Sequence, residues 1–340
     1  MRALMMCSLI MRALLLVVAA LQFAGAQQLY EEDLLAQMPE RIKQWKQVRA
    51  YIEALPAAKP PAGRTLQEKI GYPPPRLRDR ATARLEKSGE DAVATYYRIY
   101  IPITPELETY GLYIIPKGLK ARAPLVISLH GGGGFPELAT FHGGTNYHDM
   151  VRGAVERGYV VFAPHHIFYP YRDRDHETPI PQDVRPILDE QLRARGTTLM
   201  SVEVAKITKA LDVILERPEV DPARVAMVGL SWGGYYTQYT TALEPRIKVA
   251  VASCSFQGEL PPTPAKPSYG KPDDIATADL VRLILPRPLQ LQYGERDTGL
   301  PVDKVRQSLT PLASKLDLAI FPGVHEFNGE LAWAFLKKHL

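Results

Sequence analysis

Cysteine is nearly absent: Cys7 and Cys254 are the two in 340 residues. So few thiols exclude a disulfide-stapled scaffold and a cysteine-rich zinc fold. Long apolar runs are missing as well. The run nearest the start, Ala13 to Leu21, is much shorter than the roughly 20 residues a bilayer-spanning helix needs. Nor is there an excess of one charge, since 41 lysines and arginines face 37 acids for a net charge of +4. No basic run stands out, so nothing marks nucleic acid or a membrane surface as a partner. No internal repeat is visible.

What is present begins with an export pattern. Arg12 precedes the short apolar run, and Ala24-Gly25-Ala26 supplies the small-x-small pattern that signal peptidase accepts. The expectation is a signal peptide over residues 1–26, cleaved before Gln27, and a periplasmic or extracellular product with no stable membrane insertion. Met1 and Met11 head two similar Met-Arg-Ala-Leu starts, of which Met11 is expected to be the initiator. Cleavage removes Arg2, Arg12 and Cys7, leaving a charge of +2 and Cys254 without an internal partner. Within the apolar run Val249 to Phe256, Cys254 reads as a small core hydrophobe.

Residues 27–92 read as an extension. Leu34, Leu35, Ile42, Trp45, Val48 and Ile52 recur at helical spacing, predicting an amphipathic helix or two between Leu29 and Leu55. The proline-rich stretch Ala57 to Pro75 then predicts an irregular strap. From residue 93 to 340, short β-branched and aromatic runs alternate with helical segments. That pattern predicts a mostly parallel sheet covered by helices on both faces. The strands fall at Thr95 to Ile103, Tyr110 to Ile115, Leu125 to Leu129, Tyr159 to Ala163, Val225 to Val228, Val249 to Ser253, Leu289 to Tyr293 and Leu318 to Phe321. Helices are expected near Tyr147 to Arg157, Thr198 to Glu216, Tyr235 to Leu243 and Glu330 to Leu340. Eight strands in this order match the α/β-hydrolase layout. The stretch His165 to Gly196 reads as an irregular loop over the ligand crevice, with Tyr169, Tyr171 and Arg172 as substrate contacts.

A serine needs a base within reach, a group that orients the base and donors for the oxyanion before it attacks a carbonyl. Ser231 stands in Gly229-Leu-Ser-Trp-Gly233, directly after an apolar strand and before a helix, where a tight turn tolerates little but glycine on either side. Upstream, His130 leads Gly131 to Gly134 off a strand end, which matches an oxyanion loop; no P-loop lysine follows. Trp232, Gly132 and Gly133 are the candidate oxyanion donors, and His130 a brace for its loop. Asp297 leaves the strand two after the nucleophile's, with Glu295 and Asp303 as competitors. Only His325 and His339 follow Asp297, and His325 sits in the turn before the last helix, as the Ser, Asp, His order demands. His165, His166 and His176 match no metal-ligand spacing, so no metal and no cofactor are expected.

These motifs, with Leu243-Glu-Pro-Arg-Ile-Lys-Val-Ala-Val, Arg287-Pro-Leu-Gln-Leu-Gln-Tyr-Gly-Glu-Arg-Asp and Val324-His-Glu-Phe, make the chain from Thr95 to Leu340 resemble the dienelactone-hydrolase and acetyl-xylan-esterase-like branch of the α/β-hydrolases. The resemblance implies Ser231, Asp297 and His325 as the triad, the same residues reached from position. Dienelactone hydrolases proper use cysteine as nucleophile, so a serine favours the esterase side. With export, the resemblance implies a small-molecule or polysaccharide ester as substrate, acetyl groups for example. A peptidase or amidase would use the same triad, but the 66 residues of the extension are too few for a propeller domain. A non-catalytic binding protein would have lost a member of the triad. Residues 27–92 resemble nothing recognisable.

Overall fold

The computed structural model describes residues 40–340 apart from 42, 133, 142, 144, 168–184, 257–274 and 301. The expected signal segment and Gly133, Tyr169, Tyr171 and Arg172 lie outside the described residues. One sheet organises the rest. Its strands are β1 (Arg84–Glu90), β2 (Ala94–Pro102), β3 (Glu108–Pro116), β4 (Ala123–Leu129), β5 (Val160–Pro164), β6 (Val220–Leu230), β7 (Val249–Ser253), β8 (Leu289–Gly294) and β9 (Asp317–Phe321). They lie in the order β1-β2-β3-β5-β4-β6-β7-β8-β9. The six strands from β5 to β9 in that order run parallel, and β1, β2 and β3 form an antiparallel end that joins β5 antiparallel.

The middle strands are apolar throughout because both of their faces are covered. On β4, Val126 packs into one core while Leu125, Ile127 and Leu129 pack into the other. On β6, Ala226, Val228 and Leu230 share the first core, and Val225 and Met227 the second. Period-two alternation thus serves two apolar faces at once. The first core is closed by α4 (Met150–Val155), α9 (Val302–Leu309) and α10 (Gly329–His339). The second is closed by α6 (Leu199–Ile214) and α7 (Trp232–Leu243). The remaining helices are α1 over residues 43–54, α2 (Leu66–Ile70), α3 (Pro136–Phe141), α5 (Arg185–Arg193) and α8 (Thr277–Ile284).

Eight of the nine strands are the expected ones. The ninth, β1, has the sequence Arg-Leu-Glu-Lys-Ser-Gly-Glu and no buried face to write an alternating pattern. It is an edge strand, and charged residues there discourage pairing with another chain. Two stretches expected to be irregular contain helices. The proline-rich strap holds α2, started by a capping box in which Thr65 Oγ1 accepts from the Glu68 amide (3.2 Å) and Glu68 Oε2 accepts from the Thr65 amide (3.0 Å). The loop His165 to Gly196 holds α5, whose Leu188 and Leu192 are buried.

Of the amphipathic stretch expected between Leu29 and Leu55, the described part forms α1, while Leu34, Leu35 and Ile42 lie outside the described residues. Val48, Tyr51, Ile52 and Leu55 pack with Ile103, Leu107, Ile167, Leu188, Leu192, Leu199 and Val202 in a third core. Burying each such side chain contributes on the order of 1.5–3 kcal/mol, so α1 is a fixed part of the molecule.

Candidate active site

The strand order reverses at β4, since β5 lies on one side of it and β6 on the other. Such switch points leave a crevice at the carboxyl ends of the strands. Ser231 and the glycine loop flank this crevice, leaving β6 and β4 respectively.

Ser231 is the residue between β6 and α7, with φ 57° and ψ −114°. A non-glycine residue at positive φ is costly and is held by its surroundings. Here the Ser231 amide donates to the Ser253 carbonyl at the end of β7 (2.8 Å), and its carbonyl accepts from Tyr235 in the first turn of α7 (3.0 Å). The two flanking glycines are required by close approach. A Cβ on Gly229 would collide with the Gly233 carbonyl, and one on Gly233 with the carbonyls of Leu129 and His130. The start of α7 is therefore pressed against the end of β4. Trp232 is the first residue of α7, so its amide has no acceptor within the helix.

The loop after β4 is pinned by three residues from outside it, His166, Tyr147 and Arg41, and by two hydrogen bonds of its own. His130 Nε2 accepts from the His166 amide (3.3 Å), which leaves Nδ1 as the protonated nitrogen that donates to the Gly131 carbonyl (2.8 Å). Burial, with His166 beside it, holds His130 well below the ordinary histidine range, so it stays neutral. The expected bracing role of His130 has this geometry. The Gly131 amide donates to the Tyr147 hydroxyl (3.1 Å), the Gly134 amide to the Gly131 carbonyl (3.2 Å), and Arg41 Nη2 to the Gly134 carbonyl (3.2 Å). Gly131 and Gly134 are thus engaged, and Gly132 lies between them against the start of α7. A Cβ there would meet the Trp232 indole and Arg185 Nη1. Arg185 itself lies 4.1 Å over the Trp232 ring.

Asp297 and His325 meet across the ends of β8 and β9. His325 Nδ1 lies 2.6 Å from Asp297 Oδ2, with the carboxylate side chain 3% exposed and the imidazole 40%. Burial alone would raise the Asp297 carboxyl. The His325 hydrogen bond and charge, the Gly299 amide and the Cys254 thiol outweigh it and hold the group below the usual carboxylate range. Asp297 is thus ionised and accepts from Nδ1–H, the tautomer that reserves Nε2 for the role of base. The turn carrying His325 is tied down by Asn146, whose Nδ2 donates to the His325 carbonyl (3.0 Å) and whose carbonyl accepts from the Phe327 amide (2.9 Å). The competing acids are placed differently: Glu295 lies at the start of the turn after β8, and Asp303 in the first turn of α9.

Behind the glycine loop lies a buried ionic cluster. Lys206 Nζ lies 3.1 Å from Glu203 Oε2 and donates to the His165 carbonyl (2.6 Å), and Glu203 accepts from the Ile167 amide. Both side chains are 1% exposed. His165 Nδ1 lies 3.2 Å from Gln44 Oε1 of α1. The adjacent histidines 165 and 166 therefore belong to this scaffold.

Sequence reasoning did not single out Tyr147, Asn146, Arg41 or Arg185, because each acts through a contact far away in the chain. Cys254 was read as a core hydrophobe, and it is buried in the first core. It also follows β7 at φ 49°, and its sulfur lies beside the Asp297–His325 pair.

A sheet of this order, with a strained serine between strand and helix and an acid–histidine pair at the same edge, defines the α/β-hydrolase class. Within that class, the chain belongs to the dienelactone hydrolase family, whose model matches residues 112–333, and it is a hydrolase of esterase-like type. A Salmonella typhimurium protein provisionally named carboxymethylenebutenolidase is 29% identical over 230 residues, covering 64% of this chain and 73% of its own. The crystal structure of acetyl xylan esterase 1 from Thermoanaerobacterium sp. superposes with a TM-score of 0.58 at 19% identity, covering 85% of this chain and 98% of the other. A glucuronoyl esterase from Solibacter usitatus gives 0.54 at 15% identity, covering 88% and 91%. At these identities the two structures share the fold.

Proposed function

We propose that the protein is an exported carboxylic-ester hydrolase that works through an acyl-enzyme on Ser231. The observation that carries the reading is the strained serine at the carboxyl edge that also holds the 2.6 Å Asp297–His325 pair. Ser231 attacks the ester carbonyl as His325 Nε2 takes its proton, and Asp297 holds the imidazole in the tautomer that can do so. The amides of Trp232 and Gly132 receive the oxyanion, with Gly133 as a further donor, and loss of one such donor costs about 3 kcal/mol in the transition state. Proton return from His325 expels the alcohol, and a water activated by the same nitrogen then releases the acid. Tyr169, Tyr171 and Arg172 are assigned to the substrate rim.

The substrate class proposed is an acyl ester on a saccharide, supported by the family and by the saccharide esterases that share the fold. Export rests on the pattern around residues 1–26. Among the described residues no helix is long and apolar enough to cross a membrane. The test is a p-nitrophenyl ester series of increasing acyl length with the protein and its Ser231→Ala variant, followed by acetylated xylan. The expected result is hydrolysis of short esters and a loss of at least about 10⁴-fold in the variant. Equal rates for the two would remove Ser231 from the mechanism, and cleavage of peptide anilides but not esters would favour an amidase.

A further inference from the structure

Cys254, Asp297 and His325 present one sulfur, one carboxylate oxygen and one imidazole nitrogen that all lie within 4.8 Å of one another. Zn²⁺ and its heavier congener Cd²⁺ take this mixture of donors. We propose that the three side chains form an inhibitory site for a thiophilic divalent cation, and that its occupancy switches off ester hydrolysis. The inhibitory half rests on the catalytic reading above; the binding half does not.

Several features point to a cation at this spot. Sγ of Cys254 is 3.5 Å from the Glu326 carbonyl and 4.0 Å from the Val324 carbonyl, the two residues that flank His325. The sulfur therefore lies among oxygens, with an ionised carboxylate beside it. A thiolate and a carboxylate together balance the two positive charges. Tetrahedral bonds of about 2.0–2.3 Å set ligand atoms roughly 3.5 Å apart. The 2.6 Å contact between His325 and Asp297 must therefore open while the sulfur closes in, movements of about 1 Å. His325 has room for this, being 40% exposed on its side chain, and offers the approach for an ion from solvent. The fourth position is left to water.

In the free protein the thiol is protonated, Asp297 is ionised and Nδ1 of His325 carries the imidazole proton. On binding, a metal–sulfur bond replaces the S–H bond and that proton goes to solvent. A metal–nitrogen bond forms at Nδ1, and the proton displaced there is taken up at Nε2 through water. One proton is released for each ion, and no electrons move. The bound imidazole now presents N–H toward the crevice in place of a lone pair, so Ser231 loses its base. The expected effect is a fall in kcat.

The binding half is tested by titrating the full-length protein with Cd²⁺ and following the ultraviolet sulfur-to-cadmium charge-transfer band. One equivalent is expected to bind in the wild type and in Ser231→Ala, and the band is expected to vanish in Cys254→Ala. A band of unchanged intensity in Cys254→Ala, or no band in the wild type, overturns the site. The inhibitory half is tested with Zn²⁺ against p-nitrophenyl acetate, each variant being compared with its own metal-free rate. Wild-type inhibition should be reversed by a chelator, and Cys254→Ala and Cys254→Ser should need at least tenfold more Zn²⁺. Two substitutions of different polarity guard against a folding defect in either one. Equal inhibition of wild type and both variants overturns the proposal. Cadmium bound at Cys254 with an undiminished rate overturns the switch alone, and leaves the Ser231→Ala rate to decide the nucleophile.

Discussion

The hydroxyl of Tyr147 takes the amide proton of Gly131 at 3.1 Å, so the first glycine of the loop after β4 is committed to holding the loop in place. A phenol from the segment before α4 thereby takes the first amide of the loop away from any role as an oxyanion donor. Tyr147→Phe removes the acceptor and leaves a buried N–H without a partner, at a cost of about 1–3 kcal/mol in stability. If the loop supplies an oxyanion donor, kcat should fall about tenfold with KM little changed, since only the transition state feels a displaced donor. Steady-state kinetics beside urea melts separate the two effects. A variant that loses stability and keeps kcat would show that the loop does not need Tyr147 to stay aligned.

The glycines of the site should divide into two kinds. At Gly233 the atoms in the way are backbone carbonyls of Leu129 and His130, which cannot rotate aside. Gly233→Ala must push α7 off β4, and strain of this kind costs at least about 1–3 kcal/mol. At Gly132 the atoms in the way belong to the side chains of Trp232 and Arg185. Gly132→Ala should therefore fold nearly as well as the wild type, yet lose about 10²–10³-fold in kcat as the loop amide and the indole are displaced. Thermal melts and p-nitrophenyl acetate rates on the two variants test the division.

Much of this arrangement was legible in the sequence because it obeys local rules. Eight strands announced themselves as apolar runs, and Ser231, Asp297 and His325 each lie in the connection that follows such a run. β1 was hidden because an edge strand such as Arg84–Glu90 buries no face that could be written as alternation. The capping box Thr65-x-x-Glu68 was a local signal for α2, masked by the prolines on either side. The bracing contacts were beyond reach for another reason. Tyr147 with Gly131, Asn146 with His325, and Arg41 with Gly134 join residues distant in sequence, and no propensity or spacing encodes such pairs. Cys254 shows the limit most clearly. Its composition and neighbours describe a core residue, and only the fold brings Asp297 and His325 to its sulfur.

The Asp297–His325 pair predicts an acid limb in the stability profile. The folded-state value of Asp297 lies below its unfolded value. Its contribution is therefore fully present above the unfolded carboxylate value of about 3.9, and is lost as pH falls through the lower, folded value. Asp297→Asn should flatten the stability profile below about pH 4, relative to the wild type. The same variant should lose on the order of 10⁴-fold in kcat, because an amide no longer selects the imidazole tautomer with a free Nε2. Urea melts from neutral to acid pH, with rates at neutral pH, test both. An unchanged acid limb would show that Asp297 is not held below its ordinary value.

The buried pair Lys206–Glu203 sets the last expectation, because it stands between the extension and the glycine loop. Lys206 donates to the His165 carbonyl, Glu203 accepts from Ile167, and His165 reaches Gln44 on α1. Removing one charge leaves the other buried and uncompensated, which costs about 3–5 kcal/mol. Lys206→Met alone should therefore destabilise strongly, and Glu203→Gln alone less, since the amide oxygen can still accept from Ile167. The double variant leaves no bare charge, so it should be more stable than Lys206→Met by itself. That sign is opposite to the one independent sites would give. The double-mutant cycle in urea distinguishes them. If the double variant is as unstable as the sum of the singles, the two side chains hold the β5 exit separately. If it recovers, the pair acts as one unit, and Arg41→Ala, which frees the Gly134 carbonyl on the loop side, should lower kcat several-fold without repeating the loss of stability.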